Sequence, residues 1–254
     1  MKRLMTITLI CFALAISSFA QSDQGKTTTA KPAAALPSVD QVLDKYVQAI
    51  GGKAAIEKVN TRVAKGTFDM PAMGLSGPIE MYAKAPNKAV LSVNLAGVGS
   101  YQRGHDGAIA WELNPALGMR EMSGGEMAQE KRGAEFYRDI KLKQLYPKME
   151  VKGIEKVGDR DAYVIEATPA EGGPEKMYFD TQTGLLVRAD IDAITPQGTF
   201  PTKVLTEDYR EVDGIKVPFT LRQSNSVSDF TIKFTEIKHN VPIDDAKFNK
   251  PSGQ

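Results

Sequence analysis

From Thr61 onward the apolar residues of this chain recur at every second position, and short turns rich in Gly, Asp and Pro separate the runs that carry them. The last stretch, TEDYREVDGIKVPFTLRQSNSVSDFTIKFTEIKHNVPIDDAKFNKP (206–251), shows the pattern most clearly. It reads as a strand, a tight Asp213-Gly214 turn, two more strands and a proline-bounded tail. A period of two gives each strand one dry and one wet face, and a two-residue Asp-Gly link holds its flanking strands antiparallel. Such a chain is constrained to an antiparallel meander with one apolar face to cover.

The same signals run through the upstream segments. Phe68 and Met70, then Ile79, Met81 and Ala83, alternate with polar neighbours, and Leu91, Val93 and Leu95 continue the pattern beyond the Pro86-Asn87 turn. Residues 101–103 and 109–111 flank Gly104-His105-Asp106-Gly107, another hairpin signal. Further turns are read at 158–161, 180–184 and 213–214, and the last strand carries Phe230, Ile232 and Phe234. The count comes to about ten or eleven strands in sequential order.

Helical spacing is found around this sheet. Val39, Val42, Leu43, Tyr46, Val47 and Ile50 follow Ser38, an N-cap with Gln41 three residues on, and Gly51-Gly52 ends the run. A short second helix is predicted over 53–59. A third is predicted over 124–146, with Ser123 and Glu126 as a capping box and Pro147 as its stop. The expected fold is mainly β with α: an antiparallel incomplete (half) β-barrel covered by about three helices. Alternation alone leaves open whether the interior is a filled core or a cavity.

The N-terminus sets the expected compartment. Lys2 and Arg3 precede an apolar run over 4–16, and Ser18-Phe19-Ala20 offers small residues for cleavage after Ala20. The run is too short to span a bilayer. Residues 1–20 are therefore read as a signal peptide and 21–37 as a disordered linker. Residues 38–254 are read as a single domain, exported to the periplasm. Cys11 lies inside the leader behind Ile10, which is not the small residue a lipoprotein signal needs. The processed chain has no thiol to crosslink, so its stability must come from its core.

Charge and motif exclude several functions. The chain carries 32 Lys+Arg against 31 Asp+Glu, and losing Lys2 and Arg3 leaves the two signs within one charge of balance. The signs alternate without a basic block, which argues against nucleic acid or acidic membrane partners. His105 and His239 are the only histidines, and His105-Asp106 reads as a hairpin tip rather than a catalytic dyad. No spacing of His, Asp and Glu offers three metal ligands. Asp244-Asp245 reads as a helix cap. Ser224, Ser226 and Ser228 read as one solvated strand face, outside any G-x-S-x-G elbow, and no glycine run makes a phosphate loop. No catalytic residue, metal or cofactor is assigned, and an enzyme is not expected.

The order of signals resembles the LolA/LolB superfamily, periplasmic carriers that sort lipoproteins to the outer membrane. The residues that carry the resemblance are the helix ending AIGGKAAIEKV, the strand pair GHDGAIAWEL, the mid-chain helix, and DYREVDGIKVPFTLR followed by NVPIDDAKFNKP. It spans residues 38–251. The resemblance implies an incomplete antiparallel barrel with helices as its lid and a hydrophobic cavity for acyl chains. The chain differs in its longer N-terminal arm. It also lacks the mature N-terminal cysteine that anchors the receptor branch, so it groups with the soluble branch. Arg62 and Arg103 are placed by region only, and neither inherits the role of the family's lid arginine.

Strand parity and the predicted third helix then nominate a cavity lining of Phe68, Met81, Leu91, Val93 and Trp111, with Phe136 and Ile140. Met70, Met73, Met119, Met122 and Met127 suit either an adaptable cavity mouth or ordinary gap filling. The leading expectation is a soluble, monomeric periplasmic carrier of lipid acyl chains or lipoproteins, moving them towards the outer membrane. Its partners would be inner- and outer-membrane sorting components. The alternative is a periplasmic interaction or envelope-sensing module without a transport role. A hydrolase is disfavoured.

Overall fold

The computed structural model describes residues 35–251. The expected leader and the linker as far as residue 34 lie outside the described residues. Helices α1 (Val39–Ala49) and α2 (Lys53–Ile56) lead into six strands: β1 (Thr61–Met70), β2 (Leu75–Lys84), β3 (Lys88–Leu95), β4 (Gly99–His105), β5 (Ala110–Asn114) and β6 (Gly118–Glu121). A helical crossover follows, made of α3 (Gly124–Ala134), a 3-10 turn (Arg138–Ile140) and α4 (Leu142–Leu145). Seven strands complete the chain: β7 (Lys148–Val157), β8 (Arg160–Thr168), β9 (Glu175–Asp180), β10 (Leu186–Thr195), β11 (Gly198–Val212), β12 (Ile215–Ser224) and β13 (Asp229–His239).

All thirteen strands form one antiparallel sheet in the order β6-β5-β4-β3-β2-β1-β13-β12-β11-β10-β9-β8-β7. This exceeds the expected ten or eleven because strands such as four-residue β6 (GMRE) are too short to show a period. The sheet is open, with β6 and β7 as its edges. Every pairing joins strands adjacent in sequence except one, β1 with β13 at the centre. That topology forces the segment between β6 and β7 to travel from one edge to the other. It does so as the helical crossover, over the concave face.

The helices follow their caps unevenly. At α1 the Ser38 hydroxyl accepts from the Gln41 amide at 3.2 Å, and the Gln41 side chain accepts from the Ser38 amide at 2.8 Å. Both halves of the predicted capping box are made, and Val42, Leu43 and Tyr46 are buried. Ser123 makes no such bond. The predicted continuous helix over 124–146 is instead broken after Ala134, where Glu135 turns extended and the Phe136 amide donates to the Pro86 carbonyl at 2.9 Å. A tertiary hydrogen bond to the β2–β3 turn there replaces the next helical one. Helix α2 ends at Ile56, short of the predicted Val59.

One further expectation is corrected and another is met. Ser226 and Ser228 are not on a strand: the Val227 and Ser228 amides both donate to the Asn225 side chain at 2.8 Å, closing a turn. Asp244 does cap a short 3-10 turn (Asp245–Phe248), its carboxylate accepting from the Ala246 amide at 2.9 Å.

The main core lies between the concave face and the helices. Under α1 and α4 it is filled by Tyr46, Leu142, Tyr146, Ile165, Met177 and Phe179, with the Tyr46 and Phe179 rings 5.2 Å apart. A second cluster, Ala162, Val164, Tyr178 and Val187, backs the β8–β10 region. A third, Val90, Trp111 and Phe248, seals the outside of the β3–β5 wing under the C-terminal tail.

Candidate functional site: an apolar cleft on the concave face

Strand register builds the site. Reading across the sheet, Arg103 pairs with Leu91, Leu91 with Met81, Met81 with Ala64 and Ala64 with Ile237. The next row on the same face runs Tyr101, Val93, Ile79, Gly66 and Phe234. Beyond it Phe68 pairs with Ile232, and Ile232 with Leu221. These rows are apolar because period-two strands place their Ile, Val, Leu and Phe on this face. Helices α1 and α4 fill the concave face over the β7–β9 side and reach the β11–β12 turn, so the rows over β1–β4, β12 and β13 are only partly covered, by the end of α3 and Phe136.

These rows enclose two adjoining cavities. One, of about 570 Å³, is walled by Phe68, Ile79, Leu91, Val93, Phe230 and Ile232, with Met70, Leu75, Val98 and Pro115 at its outer end. The other, of about 420 Å³, lies under the end of α3 between Arg62, Ala64, Phe136, Phe234 and Ile237. Met81, Leu91, Arg103 and Leu221 line both. Each volume falls within the roughly 300–1,000 Å³ typical of ligand pockets. The charged grooves elsewhere, such as the one over Lys176, Arg188, Asp190 and Lys203, lie on strand surfaces and are lined by polar side chains.

Charged pairs fasten α3 over the cleft. Arg103 donates to Glu130 at 2.5 Å, and Arg120 holds Glu126 through two bonds of 2.7 Å while also pairing with Glu112. Burial works against the Arg103 charge, but Glu130, Tyr101 and Glu126 together raise its pKa. On its other side α3 meets β10, where Gln129 donates to the Asp192 carbonyl and accepts from the Ile194 amide. Farther along the crossover, Tyr46 donates to Asp139 at 2.7 Å, and Tyr146 and Arg132 both donate to the buried Glu175. The cover of this cleft is thus attached largely through polar contacts.

No protein-family model matches the chain, and no curated protein matches it in sequence. Solved structures do. A LolA superfamily protein from Nitrosomonas europaea superposes with a TM-score of 0.54 at 12% identity, covering 85% of this chain and 99% of that one. A putative outer membrane lipoprotein-sorting protein domain from Vibrio parahaemolyticus gives 0.55 at 13% identity, covering 83% and 97%. The fold is that of the LolA superfamily. A DUF1329 family protein from Desulfovibrio piger also shares it, at a TM-score of 0.57 and 16% identity over 83% of this chain and 97% of that one.

Within this LolA-like fold the nominated residues separate. Phe68, Met81, Leu91, Val93 and Phe136 line the cavities. Ile140 does not; it packs into the filled core beside α4. Trp111 is a correction of a different kind, because it lies on the opposite face. It pairs with Gly104, its ring occupies the space a side chain there would fill, and its indole donates to the Phe248 carbonyl at 3.1 Å. The parity assignment fails on β5 because this wing turns its charges inward. Glu112, next to Trp111, is the concave-facing residue, spent on Arg120 and Tyr101. Residues absent from the nominated lining but present in the cleft include Ile79, Leu221, Phe230 and Ile232, all legible as alternating strand positions.

The two histidines lie on one lateral row, His105–Ala89–Ala83–Arg62–His239. Four strand spacings of about 4.8 Å put them roughly 19 Å apart. Asp106 is committed to its turn, accepting from the Ala108 and Ile109 amides at 2.8 and 2.9 Å. His239 Nε2 accepts from Arg62 at 3.2 Å, which leaves the proton on Nδ1, 3.3 Å from Asp213. Burial, and then the Arg62 charge, push the His239 pKa below its ordinary 6.5, with Asp213 opposing. A depressed histidine is neutral in the fold and charges more readily once unfolded. Its stabilising share is complete above pH 6.5 and is lost as pH falls below it. Urea unfolding should therefore show a loss of stability between pH 7 and 5 that is smaller in His239→Gln. Equal losses in the two proteins would assign the acid sensitivity elsewhere.

Proposed function

We propose that this protein is a periplasmic carrier that shelters a lipid acyl chain, free or attached to a lipoprotein, in the concave cleft and moves it towards the outer membrane. The observation that carries this reading is the cleft itself: adjoining cavities with aliphatic and aromatic walls, one of them under the end of α3. The LolA-like fold supports it. Each methylene kept from water contributes about 0.8 kcal/mol, so a long acyl chain gains on the order of 10 kcal/mol in a dry cleft. No covalent step is needed. The fastening of α3 through Arg103–Glu130 and Arg120–Glu126 supports release, because ionic contacts of this kind can be exchanged for water.

The test is to fill the cleft. Met81 and Leu91 sit where the two cavities meet, so Met81→Trp with Leu91→Trp should lower the affinity for a fluorescent fatty acid at least about tenfold, roughly 1.4 kcal/mol. Circular dichroism should stay that of the parent. In the parent, Trp111 emission should not change on binding, since Trp111 lies on the far face. Unaltered uptake by the double variant would overturn the reading.

A further inference from the structure

In an antiparallel meander, successive connections fall at alternate ends of the sheet. One end of this sheet carries the hairpin tips at 71–74, 96–98, 115–117, 169–174, 196–197 and 225–228, and Glu171 is the one charged residue among them. None of these tips carries Lys or Arg. Of the turns at the other end, three carry Asp106, Asp159 and Asp213. Exposure points the same way. Among the described residues six large apolar side chains stand exposed, and four of them, Met73, Val98, Leu117 and Val227, sit on four different tips of this end.

The cleft opens at the same end. Met70, Leu75, Val98, Pro115 and Ala116 belong to these hairpins and also line the larger cavity. From these observations we propose that the four apolar-tipped hairpins at this end of the sheet dock on a lipid bilayer, with the apolar tips inserted at the interface and the cleft mouth facing the acyl chains. A protein partner needs one contiguous, closely packed patch. Four aliphatic side chains on separate loops offer no such patch, whereas a fluid interface accepts each one singly. The absence of Lys and Arg from the tips makes the attraction hydrophobic, so it requires no acidic lipid and resists salt. A chain leaving the bilayer would pass into the cleft without crossing water. The docking goes beyond the carrier reading and does not depend on it.

Protein recovered from the periplasm of cells expressing the full chain is mixed with vesicles of pure phosphatidylcholine and floated through a density gradient. It should co-float, equally at low and high salt. Met73 and Leu117 are 64% and 73% exposed, so Met73→Asp with Leu117→Asp should leave the melting temperature unchanged. It should weaken vesicle partition at least about tenfold, since each substitution replaces an inserted apolar side chain with a charge. Flotation of the double variant like the parent would overturn the proposal. So would failure of the parent to float, or flotation only with acidic lipid and only at low salt. A parent that forms dimers through these tips instead of floating would assign the end to protein contact. Uptake of a soluble fluorescent fatty acid is measured in parallel. A parent that floats but takes up no fatty acid upholds the docking and removes the carrier reading.

Discussion

Replacing Gly51 with alanine is expected to cost more than about 3 kcal/mol of stability, although the substitution adds one methyl group. Gly51 terminates α1 at φ +122°, a conformation that L side chains rarely adopt, and a Cβ there would lie 2.2 Å from the Gly214 carbonyl oxygen. The obstacle is backbone, so no rotamer change relieves it. The contact exists because α1 docks end-on against the β11–β12 turn, where the Lys216 amide donates to the Ile50 carbonyl at 2.9 Å. To admit the methyl group the helix must lift, which loosens Ile50 and Tyr46 from the core. Gly52→Ala is the control: at φ +84° it is also strained, but its nearest neighbour is the flexible Gln48 side chain at 3.7 Å. Urea unfolding of both should rank Gly51→Ala as clearly the worse. A cost within about 1 kcal/mol of the control would mean that the α1 contact is pliable.

Glu175→Ala is expected to destabilise the crossover by about 3–5 kcal/mol. The Glu175 carboxylate is buried and accepts from the Tyr146 hydroxyl at 2.7 Å and from Arg132 at 3.0 Å. Arg132 and Glu175 side chains are only 13% and 8% exposed. Truncating the acid removes the acceptor of the Tyr146 hydroxyl and leaves the Arg132 guanidinium with the Glu171 carbonyl but no counter-charge, so much of the desolvation cost of both is then unopposed. Glu175→Gln keeps an acceptor for Tyr146 and should cost clearly less. The same bridge ties the crossover to β9, so the alanine variant should also become sensitive to trypsin at Arg132 and Arg138. Unchanged proteolysis together with a small stability loss would show that the cover is held by its apolar contacts alone.

The strands, most of their turns and the first helix cap were legible because each depends on neighbours in sequence. Alternation places Phe68, Met81, Leu91 and Val93 on one face, and Ser38 with Gln41 builds its own cap. Trp111 and Ile140 were misplaced because a residue's face depends on what the face is for. On β5 the concave side bears Glu112, committed to Arg120 and Tyr101, and the tail residue Phe248 makes the convex side dry. Local apolar alternation cannot report a tail that returns from more than a hundred residues away. The break in the third helix follows from the same limit, since the bond between Phe136 and Pro86 joins segments that no helical pattern connects.

An antiparallel meander with helices to cover its apolar side is legible in the chain, since hairpin turns and a period of two are properties of adjacent residues. The joining of β1 to β13 emerges only in three dimensions. That single non-local pairing brings the two halves into one open sheet, sends the crossover from edge to edge and leaves the cleft between them. It arises from the summed burial of side chains distant in sequence, which no window along the chain contains.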